Sequence, residues 1–308
     1  MTRGLALACA LLAISACKGS DTAARAALED DSGIRVLEKG QRPRSALRYK
    51  VAPGTTTTST TTFRVATLAS SGERAALTVL PGLRLDIVSG PAEVTEEGFK
   101  FNVDVVKSEA VVPKDFDRAM ADQLEAGAAI VDEVGGWVEI DERGRMLAGE
   151  LNPRTKRAGV PVRLLRMIVN TRETLTRVQL PEEKIGLGAR WESRRQIKAY
   201  GFDLQQVDTY TLVDRAGDEI MLNVTVQQFA KPQTIEFPEE SIEISVESMS
   251  THAEGQIILD LDALESDASV TGKAEDRLIV KTPEGIETVD IAEEFEVQIA
   301  NTSALPGS

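Results

Sequence analysis

Polar and apolar residues alternate along most of the chain after position 45. Leu47, Tyr49 and Val51 start the pattern, Pro53-Gly54 makes a turn, and Thr55 to Leu68 reads as a Thr-rich strand with Phe63 and Val65 on one side. The Thr run also fits a low-complexity or glycosylated stalk; Thr is β-branched and suits a solvent-facing strand. Ser70-Ser71-Gly72 turns the chain into Ala75–Leu80, and Pro81-Gly82 breaks before Leu83–Val88. Phe99, Phe101, Val103 and Val105 alternate with Lys100, Asn102 and Asp104, the pattern of an antiparallel strand with one face in a core. Trp137–Ile140, Trp191–Ala199, Leu204–Val213, Glu219–Phe229, Ile242–Met249, Gly255–Leu261, Arg277–Lys281 and Glu294–Ile299 read as further strands, with Asp141-Glu142-Arg143-Gly144 and Asp214-Arg215-Ala216-Gly217 as turns.

Two stretches break the period of two. After Pro113, Phe116, Met120, Leu124, Ala128 and Val131 recur at three- and four-residue spacing, with Asp115 and Asp117 in the first turn, so the spacing predicts a helix ending at Gly135-Gly136. A second helix is predicted from Pro161 to about Leu180, with Leu165, Ile168 or Val169, Arg172, Leu175 and Val178 as its inward stripe. The sum is an α+β fold, mainly β: two consecutive antiparallel meanders, or one curved sheet, with two amphipathic helices packed on it. A weak repeat runs through both halves. Thr62-Phe63 followed by 72–79 resembles Thr209-Tyr210 followed by 217–224, and 136–141 resembles 255–260. Duplication and chance similarity between amphipathic hairpins both account for it.

The first residues follow another logic. Arg3 is a short positive start, Leu5 to Ile14 is apolar, and Ser15-Ala16 are small, the layout of a secretory signal too short to span a bilayer. Ile14-Ser15-Ala16-Cys17 resembles the lipobox of bacterial lipoproteins. That resemblance implies cleavage before Cys17, diacylglycerylation of its thiol and acylation of the new amino group, hence a lasting membrane anchor. An ordinary signal with a chance cysteine is the alternative. Lys18 after the anchor implies, by the same resemblance, a place in the cell envelope at the outer membrane.

The expected organisation is therefore a signal peptide at 1–16, the acylated Cys17 and a flexible tether over 17–44, a first meander with two helices at 45–181, a second meander at 182–300, and a tail at 301–308. A flexible tether of this length spans about 30 Å.

Composition narrows the function classes. Cys9 and Cys17 are the only cysteines and Cys9 leaves with the signal, so no disulfide is expected in the exported body. A net charge of -14 and a pI near 4.8 argue against nucleic acid as a partner. Aromatic content of 4%, with two Trp and three Tyr, weakens any sugar-stacking platform.

His252 is the only histidine, which excludes a histidine-dependent triad, a Cys/His pair and a zinc quartet. Gly186 and Gly188 lie in no phosphate-loop motif and lead into a strand, where phosphate binding wants a helix N-terminus. Asp260, Asp262, Glu265 and Asp267 cluster, without the glycine and terminal glutamate that a calcium loop requires at fixed offsets. No catalytic residue, metal ligand or cofactor site is expected. One stretch stands out: Arg154, Lys156, Arg157, Arg163, Arg166, Arg172 and Arg177 fall within a segment whose single acid is Glu173. It reads either as a face for an anionic protein or lipid partner, or as a helix laid against the protein's own acidic sheet.

Pro181 to Trp191, with its acidic Pro-containing loop and Gly-x-Gly-x-x-Trp spacing before a strand, resembles a family of uncharacterised β-rich bacterial secreted proteins and lipoproteins. The resemblance implies an exported β-rich lipoprotein and adds no activity. The functional expectation is a non-enzymatic, membrane-anchored interaction or structural module. The alternative is a carrier of a lipid or other apolar ligand in a half-barrel cavity. An inward face left partly open would favour the carrier, and a filled core the module.

Overall fold

The computed structural model describes residues 33–72, 74–112, 116, 118, 121, 122, 125, 128, 134–153, 177–199, 202–237 and 241–302. Among the described residues, fourteen strands form a single antiparallel sheet: β1 (Ile34–Glu38), β2 (Thr57–Ser71), β3 (Arg74–Ser89), β4 (Glu93–Val94), β5 (Gly98–Val111), β6 (Val134–Asp141), β7 (Met146–Pro153), β8 (Arg190–Ala199), β9 (Phe202–Ala216), β10 (Glu219–Ala230), β11 (Gln233–Phe237), β12 (Ile242–Asp260), β13 (Asp267–Thr282) and β14 (Gly285–Thr302). The order across the sheet is β1-β8-β9-β10-β12-β13-β14-β2-β3-β5-β6-β7, with β11 on β12 and β4 on β5. The two expected meanders are thus one sheet: β14 lies against β2, and β1 against β8.

The α+β expectation is corrected. The described chain is nearly all β, and no helix lies across the sheet among the described residues. In the span expected as the first helix, Arg118, Ala121, Asp122, Glu125 and Ala128 have helical backbone, and the residues between them lie outside the described residues. The expected second helix falls on undescribed residues up to 176. Its last residues, Arg177 to Leu180, are not helical. Val178, Gln179 and Leu180 are all buried, and the Leu180 N–H donates across to Arg143 O rather than to a carbonyl one helical turn back. The signal, Cys17 and the tether to 32 lie outside the described residues, while Ile34–Glu38, expected as tether, is strand β1.

Alternation gives each strand one face in the core. On β9 the inward residues are Phe202, Leu204, Gln206, Asp208, Tyr210 and Leu212; on β5 they are Phe99, Phe101, Val103 and Val105. Register shifts at Phe63/Val65 and Val246/Ser248 are bulges that keep a long strand's apolar residues on the same side after the parity changes. A sheet this wide curls. The curl brings β5 and β9, far apart in the strand order, to the two sides of Arg177: its guanidinium lies 5.7 Å over the Phe101 ring, and its carbonyl accepts a hydrogen bond from the Tyr210 hydroxyl at 3.5 Å.

At one end of the sheet, the interior is sealed by two extended segments, 45–52 and 177–189. Tyr49 N–H donates to Glu142 O, Lys50 N–H to Leu261 O and Leu180 N–H to Arg143 O, so these segments tie the β6–β7 and β12–β13 hairpin ends together. Leu47, Leu180, Ile185 and Trp191 are fully buried in the large cluster they close. Gly144 turns the β6–β7 hairpin at φ 78°, and a Cβ there would strike the Tyr49 ring. A second cluster occupies the inward face at the other end: Phe202, Leu204, Ile244, Val246, Met249, Leu278, Val280 and Val289.

Candidate functional site

The two clusters are separated by a row of polar residues in register on the inward face: Arg195, Gln206, Gln228, Thr251, then Ala274, Glu293 and Thr67. At one side of this row Arg195 and Asp208 form a buried ion pair at 2.6 Å. Gln206 donates to Asp208 Oδ1 at 2.6 Å and Gln228 to Gln206 Oε1 at 2.7 Å. Burial pushes the Asp208 carboxyl up from its ordinary range, against the pull of Arg195. Burial and the neighbouring Asp208 push the Tyr210 phenol well above its ordinary value, so it stays neutral. Ser193 Oγ donates to Gln179 Oε1 at 2.7 Å, and Trp191 Nε1 to Gln179 O at 2.8 Å. These bonds satisfy buried groups and hold them in place; none leaves a nucleophile paired with a base.

At the other side of the row stand two acids. Glu293 on β14 faces Thr67, whose hydroxyl donates to it at 3.2 Å, and Asp276 on β13 lies one inward position further along. Burial, then the nearby Glu293, raises the Asp276 carboxyl to about 7. Burial raises Glu293 too, opposed by Thr67. Alternation alone placed both acids inward, and the sequence reading missed them among 49 acidic residues.

The outward face of the same strands holds an open groove of about 1030 Å³. Its floor is β12, β13, β14 and β2, and its walls are Gln227 and Phe229 of β10 on one side and Gly82, Val111 and Val112 on the other. Two ion pairs line it, Arg64–Glu296 at 2.8 Å and Lys273–Glu294 at 2.7 Å, with a His252 Nε2–Glu254 Oε1 contact at 3.2 Å beside them. A hydrogen bond from Lys273 lowers the Glu294 carboxyl and raises Lys273 in return. The Phe229 ring is 43% exposed at the wall. His252 sits here, exposed, with Glu254 as its partner and, among the described residues, no thiol or hydroxyl nucleophile bonded to it.

Of the residues singled out in the sequence, Cys17, Arg154, Lys156, Arg157, Arg163, Arg166 and Arg172 lie outside the described residues. Arg177 is half-buried against Phe101. In the acidic stretch near 260, the Asp260 carboxylate accepts the Asp262 N–H at 3.0 Å as a turn, Glu265 accepts from Ser89, and Asp267 accepts from the backbone of Asn301.

No protein-family model matches this chain, and a search of curated proteins finds no match. Among solved structures it is similar to lipovitellin, in a structure titled for its lipid–protein interactions, with a TM-score of 0.45 and 12% identity over 84% of this chain and 26% of that one. The chain therefore spans about a quarter of the length of lipovitellin. Two further matches are more distant: OccK8 (OprE) of Pseudomonas aeruginosa has a TM-score of 0.19 and 8% identity over 83% of this chain and 100% of that one. Ail, the attachment invasion locus protein of Yersinia pestis, has a TM-score of 0.10 and 8% identity over 81% and 100%. Likenesses this distant assign neither a family nor a function.

Proposed function

We propose that this chain is a non-enzymatic interaction module of the bacterial envelope, anchored by acyl chains on Cys17 at the outer membrane and working through the groove on its outward face. The observation that carries the reading is the contrast between the two faces of the sheet. Inward, both clusters are packed side chain against side chain, with Leu47, Trp191, Ile220 and Val270 at 0% exposure. Outward, the groove is open and offers exposed ion pairs beside an exposed aromatic ring. A carrier needs room inside, whereas a docking module needs relief outside.

The test uses the full lipidated chain in cells. A photo-crosslinking residue is placed at Phe229 or at His252 in the groove, and at exposed Thr288 beyond it as a control. Crosslinking to one discrete species from both groove positions and not from Thr288 supports the reading. Stoichiometric lipid released on denaturing mass spectrometry of the detergent-extracted protein would overturn it in favour of the apolar-ligand carrier.

A further inference from the structure

Asp276 and Glu293 sit where a sheet has no ordinary use for acids. The row through Asp276 is otherwise apolar: Leu204, Ala230 and Met249 on one side, Ile291 and Ala69 on the other. Asp276 Oδ1 is buried and has no hydrogen-bond partner. Glu293 is the diagonal neighbour on the next strand, a position within reach of a side chain on the same face. The residues facing Asp276 from β12 are Met249 and Thr251, and from β2 Thr67 and Ala69, so among the described residues Glu293 is the charged group that faces it. Glu287, further along β14, is exposed.

We propose that this carboxyl pair is a proton-dependent latch: while it holds a proton the second cluster stays packed between β13 and β14, and losing it loosens that end of the sheet. Two ionised carboxylates side by side against Met249 and Ile291 would carry uncompensated charge into an apolar layer. With Asp276 protonated, that charge falls to one. The direction follows from the proton balance. An unfolded aspartate releases its proton near 3.8 and the folded Asp276 near 7, so between these values the unfolded chain gives up a proton that the folded one keeps. Stability is therefore full at acid pH, falls as the pH rises through this window, and stays low above it. The same strands carry Lys273, Glu275 and Glu294 into the groove floor, so the latch acts on that floor from behind.

Hydrogen–deuterium exchange on the full chain, corrected for the intrinsic rate, reads this out. Between pH 5 and 7, opening of peptides covering 274–293 should rise by up to about tenfold per pH unit, while peptides covering 177–192 and 45–52 hold steady. Asp276→Asn should flatten the response. Should that variant not fold, the titration of the Asp276 carboxyl in the wild-type protein by isotope-labelled NMR decides: a midpoint near neutrality supports the latch and one in the ordinary carboxylate range overturns it. A flat wild-type exchange profile, or an unchanged slope in Asp276→Asn, also overturns it.

Discussion

The two ends of this sheet share their strands but not their means of staying folded. The sealed end packs Trp191 on Tyr210, with ring centroids 5.3 Å apart, and adds backbone bonds from two crossing segments. The other end has a smaller cluster and an acid pair on the same inward face. β12, β13 and β14 run through both, so continuity of a strand does not make its stability uniform. Opening free energy follows local burial and tying. The sealed end should set global stability, and the second cluster should open first.

The largest expected effect comes from Trp191→Ala. The side chain is fully buried, and its indole N–H donates to Gln179 O at 2.8 Å, so truncation leaves both a cavity and an unmet carbonyl. The loss should be about 3–5 kcal/mol in urea unfolding followed by circular dichroism. Breaking the ion pair between the clusters should cost nearly as much. Asp208→Leu strands Arg195, whose side chain is 13% exposed, and should destabilise by about 3–5 kcal/mol. Arg195→Met together with Asp208→Leu should recover most of that, because two apolar groups need no compensation. If the double variant is as unstable as the single, the pair contributes beyond its own charge balance.

Leu278→Ala probes the second cluster and should cost about 2–5 kcal/mol locally. The comparison makes a sharper demand than this magnitude. Fluorescence of Trp191 and Trp137, the chain's two tryptophans, should keep its unfolding midpoint while exchange protection falls around 244–249 and 278–289. A parallel drop in the fluorescence midpoint would join the two ends into one cooperative unit and remove the distinction.

Much of this was legible from alternation alone. β5, β9 and β10 fall where Phe99–Val112, Leu204–Val213 and Glu219–Phe229 place them, and the Asp141–Gly144 turn joins β6 to β7 as read. Three kinds of error remain, each with a physical cause. Ile242–Met249 and Gly255–Leu261 are a single strand, because between them the inward positions are Thr251 and Ala253, too polar or too small to carry the hydrophobic signal that sequence reading depends on. The first half of β13 was missed because its inward residues are small: Ala268, Val270, Gly272 and Ala274 carry little hydrophobic signal, yet they sit under larger neighbours such as Phe295. The helical reading failed at Val178 because burial there comes from the sealing segment crossing the interior, which no local period encodes. The groove was invisible for a related reason: its walls come from β10, from the middle of β3 and from the end of β5, which only the strand order brings around β12, β13, β14 and β2.

The smallest effect expected is at the boundary between the two ends. Gly272 lies under the Phe295 ring, and a Cβ added there would press on that ring, come within 2.6 Å of the Ala253 Cβ and 2.9 Å of the His252 carbonyl. The Ala253 and His252 atoms belong to the neighbouring strand and cannot swing aside as a side-chain tip does, so Gly272→Ala should cost about 1–3 kcal/mol by overpacking. Phe295→Leu in the same chain should relieve only the part due to the ring. If Gly272→Ala is as stable as the wild type, the strands at this point have slack, and the boundary is a place where the second end can move without disturbing the sealed one. If it destabilises and Phe295→Leu leaves a remainder, β12 and β13 are rigidly spaced there, and loosening at Asp276 must stop short of Gly272.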